Sequence, residues 1–486
     1  MDGAPHEQIL VDASQVVLKI PALKLVFISV WPVLVSGVVY CAQQFISMYF
    51  LQAFVIPDQP YILVVLFAGI TLFQAFPGSI WEQFSQIASQ TLFVNDLETA
   101  DNLNLISINL SICWTVISLI IFYPICYFVV TKYNMPETIR PLLYTTFALT
   151  GPFSALTVGQ EFRYQVEERV LLGSSITIFL AIIFISIEMF LYVTFFPSSA
   201  WPTAVAYVLT NVLISTWTVV WNQKVTVLGI KNKTIITTTW KDIANFKKLK
   251  GFLHQMGQFL FSSILILPLK LALPVGIFLG ATLTQNSPNA KAQGYKLLVF
   301  SFYGQIFRVV PQAISKFFMK VTLICIKENH HRRINELILH SIILCAIING
   351  VIMLLMIFLP IIQVFLPANE GLPDIKDPIL HTGISGFGQI ATEIAVSLAM
   401  AHRHYPIIAS LGCLKLVQEF LNWYLFTKYV GETDTFYKIP LYGELNSSIA
   451  GLFIIICYCV WFQKKGKTEV NTPSKKHSQH KSNQKK

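Results

Sequence analysis

The chain has 486 residues, of which 54% are hydrophobic and only 12% are charged, and its mean hydropathy is +0.60. Soluble domains carry about 25% charged residues. The composition therefore excludes a soluble enzyme, a disordered chain and a fibrous protein, and it predicts a polytopic membrane protein. The basic residues behind the net charge of +10 lie mainly on one side of the predicted membrane, as described below. We therefore attribute them to membrane topology and predict no nucleic-acid partner.

Apolar runs recur along the whole chain, and twelve of them reach the length of about 20 residues that a spanning helix needs. The predicted spans are 26–53, 61–89, 105–131, 141–160, 170–196, 201–222, 252–282, 294–320, 337–366, 378–402, 405–427 and 440–463. A longer polar loop separates the sixth span from the seventh. We predict an all-α membrane fold of twelve helices in two six-helix bundles related by a parallel repeat.

This division gives five segments. They are an N-terminal segment (1–25), an N-lobe (26–222), a basic linker (223–251), a C-lobe (252–463) and a basic tail (464–486). The tail is too polar to fold alone, so we expect it to be disordered.

Basic residues concentrate in the segments on one side of the predicted membrane, above all in the linker and the tail. The positive-inside rule then places both termini in the cytoplasm of a multi-pass protein of the cell (inner) membrane. The N-terminus lacks the basic-then-apolar order of a cleavable signal, so the first run is expected to remain as an anchor. The cysteines lie in apolar runs without a CxxC pair, which predicts neither disulfides nor a metal cofactor.

The two halves show internal similarity. A shift of 234 residues aligns 73–110 with 307–344 without a gap, with identities that include Phe73/Phe307 and Pro77/Pro311. Both copies cover the end of a second span, a loop and the start of a third. A shift that preserves span number indicates parallel repeats about an axis along the membrane normal.

The first copy, PGSIWEQFSQIASQTLFVNDLETADNLNLISINLS (77–111), resembles the signature of the multidrug and toxic compound extrusion (MATE) family. Its Ser89-Gln90 pair ends the second span, and the acidic turn from Asp96 to Ala100 opens the third. Pro32, EFRYQ (161–165) and MAHRHYP (400–406) also stand where the family has similar elements.

This resemblance to the MATE family implies two six-helix bundles that face each other in a V, with a central cavity open alternately to each side. It also implies export of drug-like compounds in exchange for Na+ or H+, the only cofactor expected. The family belongs to a superfamily that includes flippases for lipid-linked sugars.

Coupling residues follow from the same comparison. Many members carry an aspartate in the first helix, about fifteen residues after its proline, and that position holds Ser47 here, with Gln43 and Gln44 one turn earlier. None of these can titrate near neutral pH, although their oxygens suit Na+. Glu393 lies in the tenth span, close to the position at which members of the family often carry a carboxylate. We therefore expect a proton or Na+ site at Glu393 or near Ser47.

Other ionisable residues inside spans are candidates because such groups are costly in lipid and usually face a cavity or a partner. Lys270 lies between two prolines of its span, and Arg308 lies just before Pro311; both could line a cavity. Lys415 and Glu419 are four residues apart and could form a structural pair on one helix face. Glu188 and Glu444 lie nearer span ends and could lie at the membrane interface.

The favoured function is a secondary active exporter of hydrophobic or cationic small molecules, acting as a monomer in contact with membrane lipid. One alternative is a flippase for a lipid-linked sugar, which a strongly cationic cavity would favour. Another is a non-transporting membrane protein that has lost ion coupling together with the first-helix carboxylate. No P-loop, HExxH or GxSxG pattern is present, so we predict no enzymatic activity.

Overall fold

A computed structural model of the chain describes residues 18–93, 96–145, 162–164, 166, 170–195, 198–222, 226–227, 230–231, 253–359, 375–429 and 436–470. Within these ranges the fold is all-helical apart from one short antiparallel pair of strands in the linker, β1 (Thr226–Val227) and β2 (Ile230–Lys231). The predicted all-α membrane fold is confirmed.

Helices occupy eleven of the twelve predicted spans in the described part of the chain. In the first half they are α1 (Ala22–Val55), α2 (Pro60–Phe93), α3 (Leu97–Lys132), α4 (Val170–Thr194) and α5 (Trp201–Asn222). In the second half they are α6 (Leu253–Gln285), α7 (Ala290–Lys327), α8 (His331–Phe358), α9 (Lys376–Ala401), α10 (Tyr405–Tyr429) and α11 (Lys438–Val470). The predicted fourth span, 141–160, falls mostly outside the described residues.

Length and composition suit these helices to a membrane. Among the described residues, nine helices are long and apolar enough to span a bilayer. Many large apolar side chains are exposed on them, as expected where lipid replaces water around the helices. The protein is therefore a multi-pass integral membrane protein.

The helices run past the predicted span ends at several places. α3 begins at Leu97 rather than 105, because Asp96 caps it by accepting a hydrogen bond from the backbone N–H of Thr99 at 3.0 Å. The last helix, α11, continues to Val470, so the segment predicted to be a disordered tail is helical over its first residues. The rest of that tail lies outside the described residues.

Reciprocal contacts join the two halves. α1 packs on α7, and α2 packs on α6. The first span of each half thus meets the second span of the other half, which is the arrangement expected of parallel repeats. Within the halves, α4 packs on α1 and α5, and α9 packs on α7, α8 and α11.

Candidate functional site

A buried carboxylate in the first half of the protein lies beside Ser47 of α1. Glu188 of α4 is fully buried. It accepts a hydrogen bond from the Ser47 hydroxyl of α1 at 2.6 Å and another from the Thr203 hydroxyl of α5 at 2.6 Å. Since Thr203 donates to Glu188, the Tyr192 hydroxyl donates to Thr203, at 3.0 Å.

This Glu188 site connects three helices through one ionisable group. Among the described residues no lysine or arginine forms an ion pair with Glu188. A carboxyl that is buried, hydrogen-bonded only by hydroxyls and free of a fixed counter-ion can exchange a proton or accept a small hard cation, because both uses need an acceptor that is not already neutralised.

The placement of Glu188 corrects the expectation that it lies at the membrane interface. Sequence position was misleading because α4 extends only six residues beyond it, to Thr194. The available signal was an ionisable residue inside an unbroken apolar run. Gln43 and Gln44, one turn before Ser47, are both partly buried, and among the described residues the Gln44 Oε1 has no hydrogen-bond partner.

A second group of charges joins the two halves of the protein. The Lys270 ammonium of α6 forms an ion pair with Glu82 of α2 at 2.5 Å. Glu393 of α9 interacts electrostatically with both. We call Glu82, Lys270 and Glu393 the interface triad.

Accessibility distinguishes the interface triad from its surroundings. The side chain of Lys270 is 39% exposed and that of Glu82 is 15% exposed, whereas Trp81 and Gln83, the chain neighbours of Glu82, are buried. The structure thus brings two of the predicted candidates, Lys270 and Glu393, to one partly open place between the halves. The interface triad carries one positive charge, on Lys270, and two carboxyl groups that can each be negative.

A layer of polar contacts connects the halves on one side of the interface triad. Tyr405 lies between Gln83 and Gln86 of α2, at 2.8 and 3.1 Å. Gln86 also donates to the carbonyl of Met400, and Arg403 donates to Gln90. On the predicted topology this layer is cytoplasmic.

A similar layer connects the halves on the other side. Lys291 pairs with Asp58 at 2.7 Å, and the Tyr295 hydroxyl donates to the carbonyl of Pro57 at 3.1 Å. Tyr133 and Thr282 share a hydrogen bond of 2.9 Å. The interface triad therefore lies between two sets of contacts, both of which are formed in this structure.

The second half holds a buried ion pair. Arg308 of α7 donates to both carboxylate oxygens of Glu444 of α11, at 3.1 and 3.3 Å. Ser385 and Gln389 of α9 also donate to Glu444, and the Arg308 guanidinium lies 4.9 Å from the Phe300 ring centroid. Arg308 is thus buried in an ion pair within the second half and does not line a cavity as predicted. Glu444 is also buried and does not lie at the membrane interface.

Lys415 and Glu419 are both buried on α10. Among the described residues neither oxygen of Glu419 has a hydrogen-bond partner. The predicted structural pair is therefore not a hydrogen-bonded one, and Lys415 acts on Glu419 at longer range, as it does on Glu393 and Glu444.

Comparison with known proteins identifies the fold. No protein-family model and no curated protein matches the sequence. Among solved structures, an outward-facing multidrug resistance MATE family transporter of the MOP superfamily matches with a TM-score of 0.67 and 14% identity, over 94% of this chain and 99% of that one.

Two further solved structures are similar. A point mutant of a MATE transporter from Vibrio cholerae matches with a TM-score of 0.66 and 14% identity, over 91% and 97% of the two chains. A MOP superfamily transporter from Pyrococcus furiosus, described as having a binding pocket of reverse polarity that suggests a different function, matches with a TM-score of 0.65 and 15% identity, over 94% and 99%. The chain has the fold of MATE transporters.

Proposed function

We propose that this protein, with the fold of MATE transporters, is a secondary active exporter of small organic cations, driven by proton exchange at Glu188. The observation that carries the proposal is the pair of hydrogen bonds, both 2.6 Å, that connect Glu188 to Ser47 and Thr203. A carboxylate on a different helix thus lies beside Ser47, the position at which the family resemblance predicts an acid in many members.

Proton exchange at Glu188 changes its hydrogen bonding to two other helices. In the ionised form the carboxylate accepts from both hydroxyls. In the protonated form Glu188 itself becomes a donor, so at least one of these hydroxyls must turn or find another partner. Because α1 also packs on α7 of the second half, such a rearrangement can bias the relative position of the halves.

The interface triad supports a cationic substrate. With Lys270 paired to Glu82, Glu393 leaves the group with a net negative charge when it is ionised. A partly exposed acidic group between the halves attracts an organic cation. Glu393, which the sequence favoured for coupling, fits a substrate-binding role better because it lies beside a fixed cation.

Two alternatives keep some support. Lys270 is a cation at the interface, and the Pyrococcus furiosus transporter is described as having a pocket of reverse polarity, so a flippase for an anionic lipid-linked sugar is the second candidate. The non-transporting alternative rested on the missing first-helix carboxylate. Glu188 beside Ser47 removes that reason for it.

The test is dye efflux from proteoliposomes under an imposed pH gradient or Na+ gradient. We expect the native protein to export a cationic dye in exchange for protons when a pH gradient is imposed. Glu188→Gln should abolish this gradient-driven efflux while dye binding remains measurable. Glu137→Gln, which changes an exposed carboxylate, serves as the control with native transport.

Each other result identifies a different function. Efflux that only a Na+ gradient drives, and that Glu188→Gln abolishes, makes Glu188 a sodium site. Native efflux in Glu188→Gln refutes the coupling role, and export of an anionic lipid in place of the cationic dye supports the flippase.

A further inference from the structure

We propose that Glu419 is a second proton-binding site, located in the second half of the protein and separate from Glu188. Glu419 is completely buried where α6, α10 and α11 pack together. Both of its carboxylate oxygens lack a hydrogen-bond partner among the described residues. An ionised carboxylate in such a place is strongly unfavourable, and uptake of a proton removes the charge.

Two glycines form the space that holds this carboxyl group. Gly276 of α6 and Gly443 of α11 lie on either side of it, and a Cβ atom at either glycine would overlap the carboxylate. The absence of side chains at these two positions makes room for the carboxyl group. The glycine surfaces facing it supply no hydrogen-bond donor, so the slot fits the neutral acid better than the anion.

Glu444, a neighbouring carboxylate, shows how the same fold stabilises an anion. It receives hydrogen bonds from Arg308, Ser385 and Gln389 and has the Arg308 charge beside it. Within the described part of the chain, Glu419 receives no such hydrogen bond. Two buried carboxyls in one bundle thus have opposite environments, which is the arrangement expected when one is a fixed anion and the other exchanges a proton.

The charged groups around Glu419 link its proton to the interface triad. Lys415 lies one turn away on α10, Glu444 faces it from α11 with Arg308 from α7, and α6 carries Lys270, which is paired to Glu82. Lys415 also acts on Glu393. When Glu419 is protonated, the positive charge of Lys415 attracts mainly Glu393 and Glu444. When Glu419 is ionised, its negative charge also attracts Lys415 and so competes with those two carboxylates.

A proton suits this slot better than a metal cation. Na+ and other hard cations bind several oxygen ligands at once. The groups nearest the carboxylate on two sides are glycines, and among the described residues no hydroxyl or amide donates to it, in contrast with the two hydroxyls at Glu188. Among the described residues the Glu419 carboxylate therefore lacks the hydroxyl partners that could serve as cation ligands at Glu188.

Infrared spectroscopy of the full-length protein in lipid tests the proposal without requiring transport. A buried protonated carboxyl gives a C=O stretching band that an ionised carboxylate lacks. We expect this band at neutral pH in the native protein, its loss in Glu419→Gln, and no change in Glu444→Gln. Absence of the band from the native protein, or the same band in Glu419→Gln, overturns the proposal. Loss of the native band on adding Na+ at constant pH also overturns it, in favour of a cation site.

A second variant guards against misfolding. Glu419→Asp keeps the carboxyl but withdraws it from between the glycines, so the band should shift in frequency; an unshifted band refutes the assignment. Glu188→Gln provides a separate comparison, because any band that it removes belongs to the first half. If Glu188 proves not to drive export, the Glu419 result is unaffected.

Discussion

Arg308→Met tests the buried ion pair between Arg308 and Glu444, which are 6% and 0% exposed. The substitution removes the two hydrogen bonds at 3.1 and 3.3 Å and leaves a carboxylate in the interior without its cation. Loss of one partner of a buried pair costs about 3–5 kcal/mol. Since Ser385 and Gln389 still donate to Glu444, we expect a loss near the lower end of that range.

Two further variants isolate the cause. The exposed pair of Lys291 and Asp58, whose side chains are 44% and 77% exposed, is the matched control, and Lys291→Met should cost only about 0–1 kcal/mol. The double variant Arg308→Met/Glu444→Leu removes both buried charges. It should recover most of the lost stability, because well-packed apolar residues often replace a buried pair without a net loss.

The assay is unfolding of the purified protein by SDS in mixed micelles, which gives the free energy of unfolding for each variant. A loss in Arg308→Met no larger than that in Lys291→Met refutes the reasoning, since it means that Glu444 does not depend on its cation. A double variant less stable than Arg308→Met refutes it as well.

Three other changes follow from the same contacts. Gly443→Ala should lower stability by about 1–3 kcal/mol, because the added methyl overlaps a buried carboxyl group; SDS unfolding measures it, and a native-like value contradicts the glycine slot. The hydroxyl and backbone N–H of Thr99 hydrogen-bond to Asp96 and lower its pKa. Asp96 therefore stabilises the fold above the pKa of the unfolded carboxyl, and this contribution disappears as the pH falls through the lower folded value. Heat denaturation of Asp96→Ala should show a deficit at neutral pH that vanishes in acid. Lys270→Met frees Glu82, so a cationic dye should bind about five- to tenfold more tightly by fluorescence titration, whereas Lys270→Arg should bind like the native protein.

Sequence alone determined that this is an all-α protein with many spans. Composition and the length of apolar runs suffice for that, because a bilayer requires about 20 apolar residues per helix and leaves no backbone group without a hydrogen bond. These demands act on each segment separately. The repeat of 73–110 in 307–344 also needs no structure to be seen, since it is a property of the sequence.

Sequence also identified Lys270, Glu393, Arg308 and Glu419 as candidates, because each is an ionisable group inside an apolar run. It did not assign partners to Lys270, Glu393 or Arg308, and the suggested pair of Lys415 and Glu419 is not hydrogen-bonded among the described residues. Arg308 and Glu444 are separated by 136 residues, and nothing in either span indicates the other.

Only the tertiary structure showed that Glu188 lies beside Ser47, 141 residues away along the chain. Within a span, an acid looks the same whether its neighbours are hydroxyls, a guanidinium or two glycines. Whether it is a fixed anion or an exchangeable proton site depends on which helices pack around it, and that packing arises from contacts between distant segments, which no local pattern encodes.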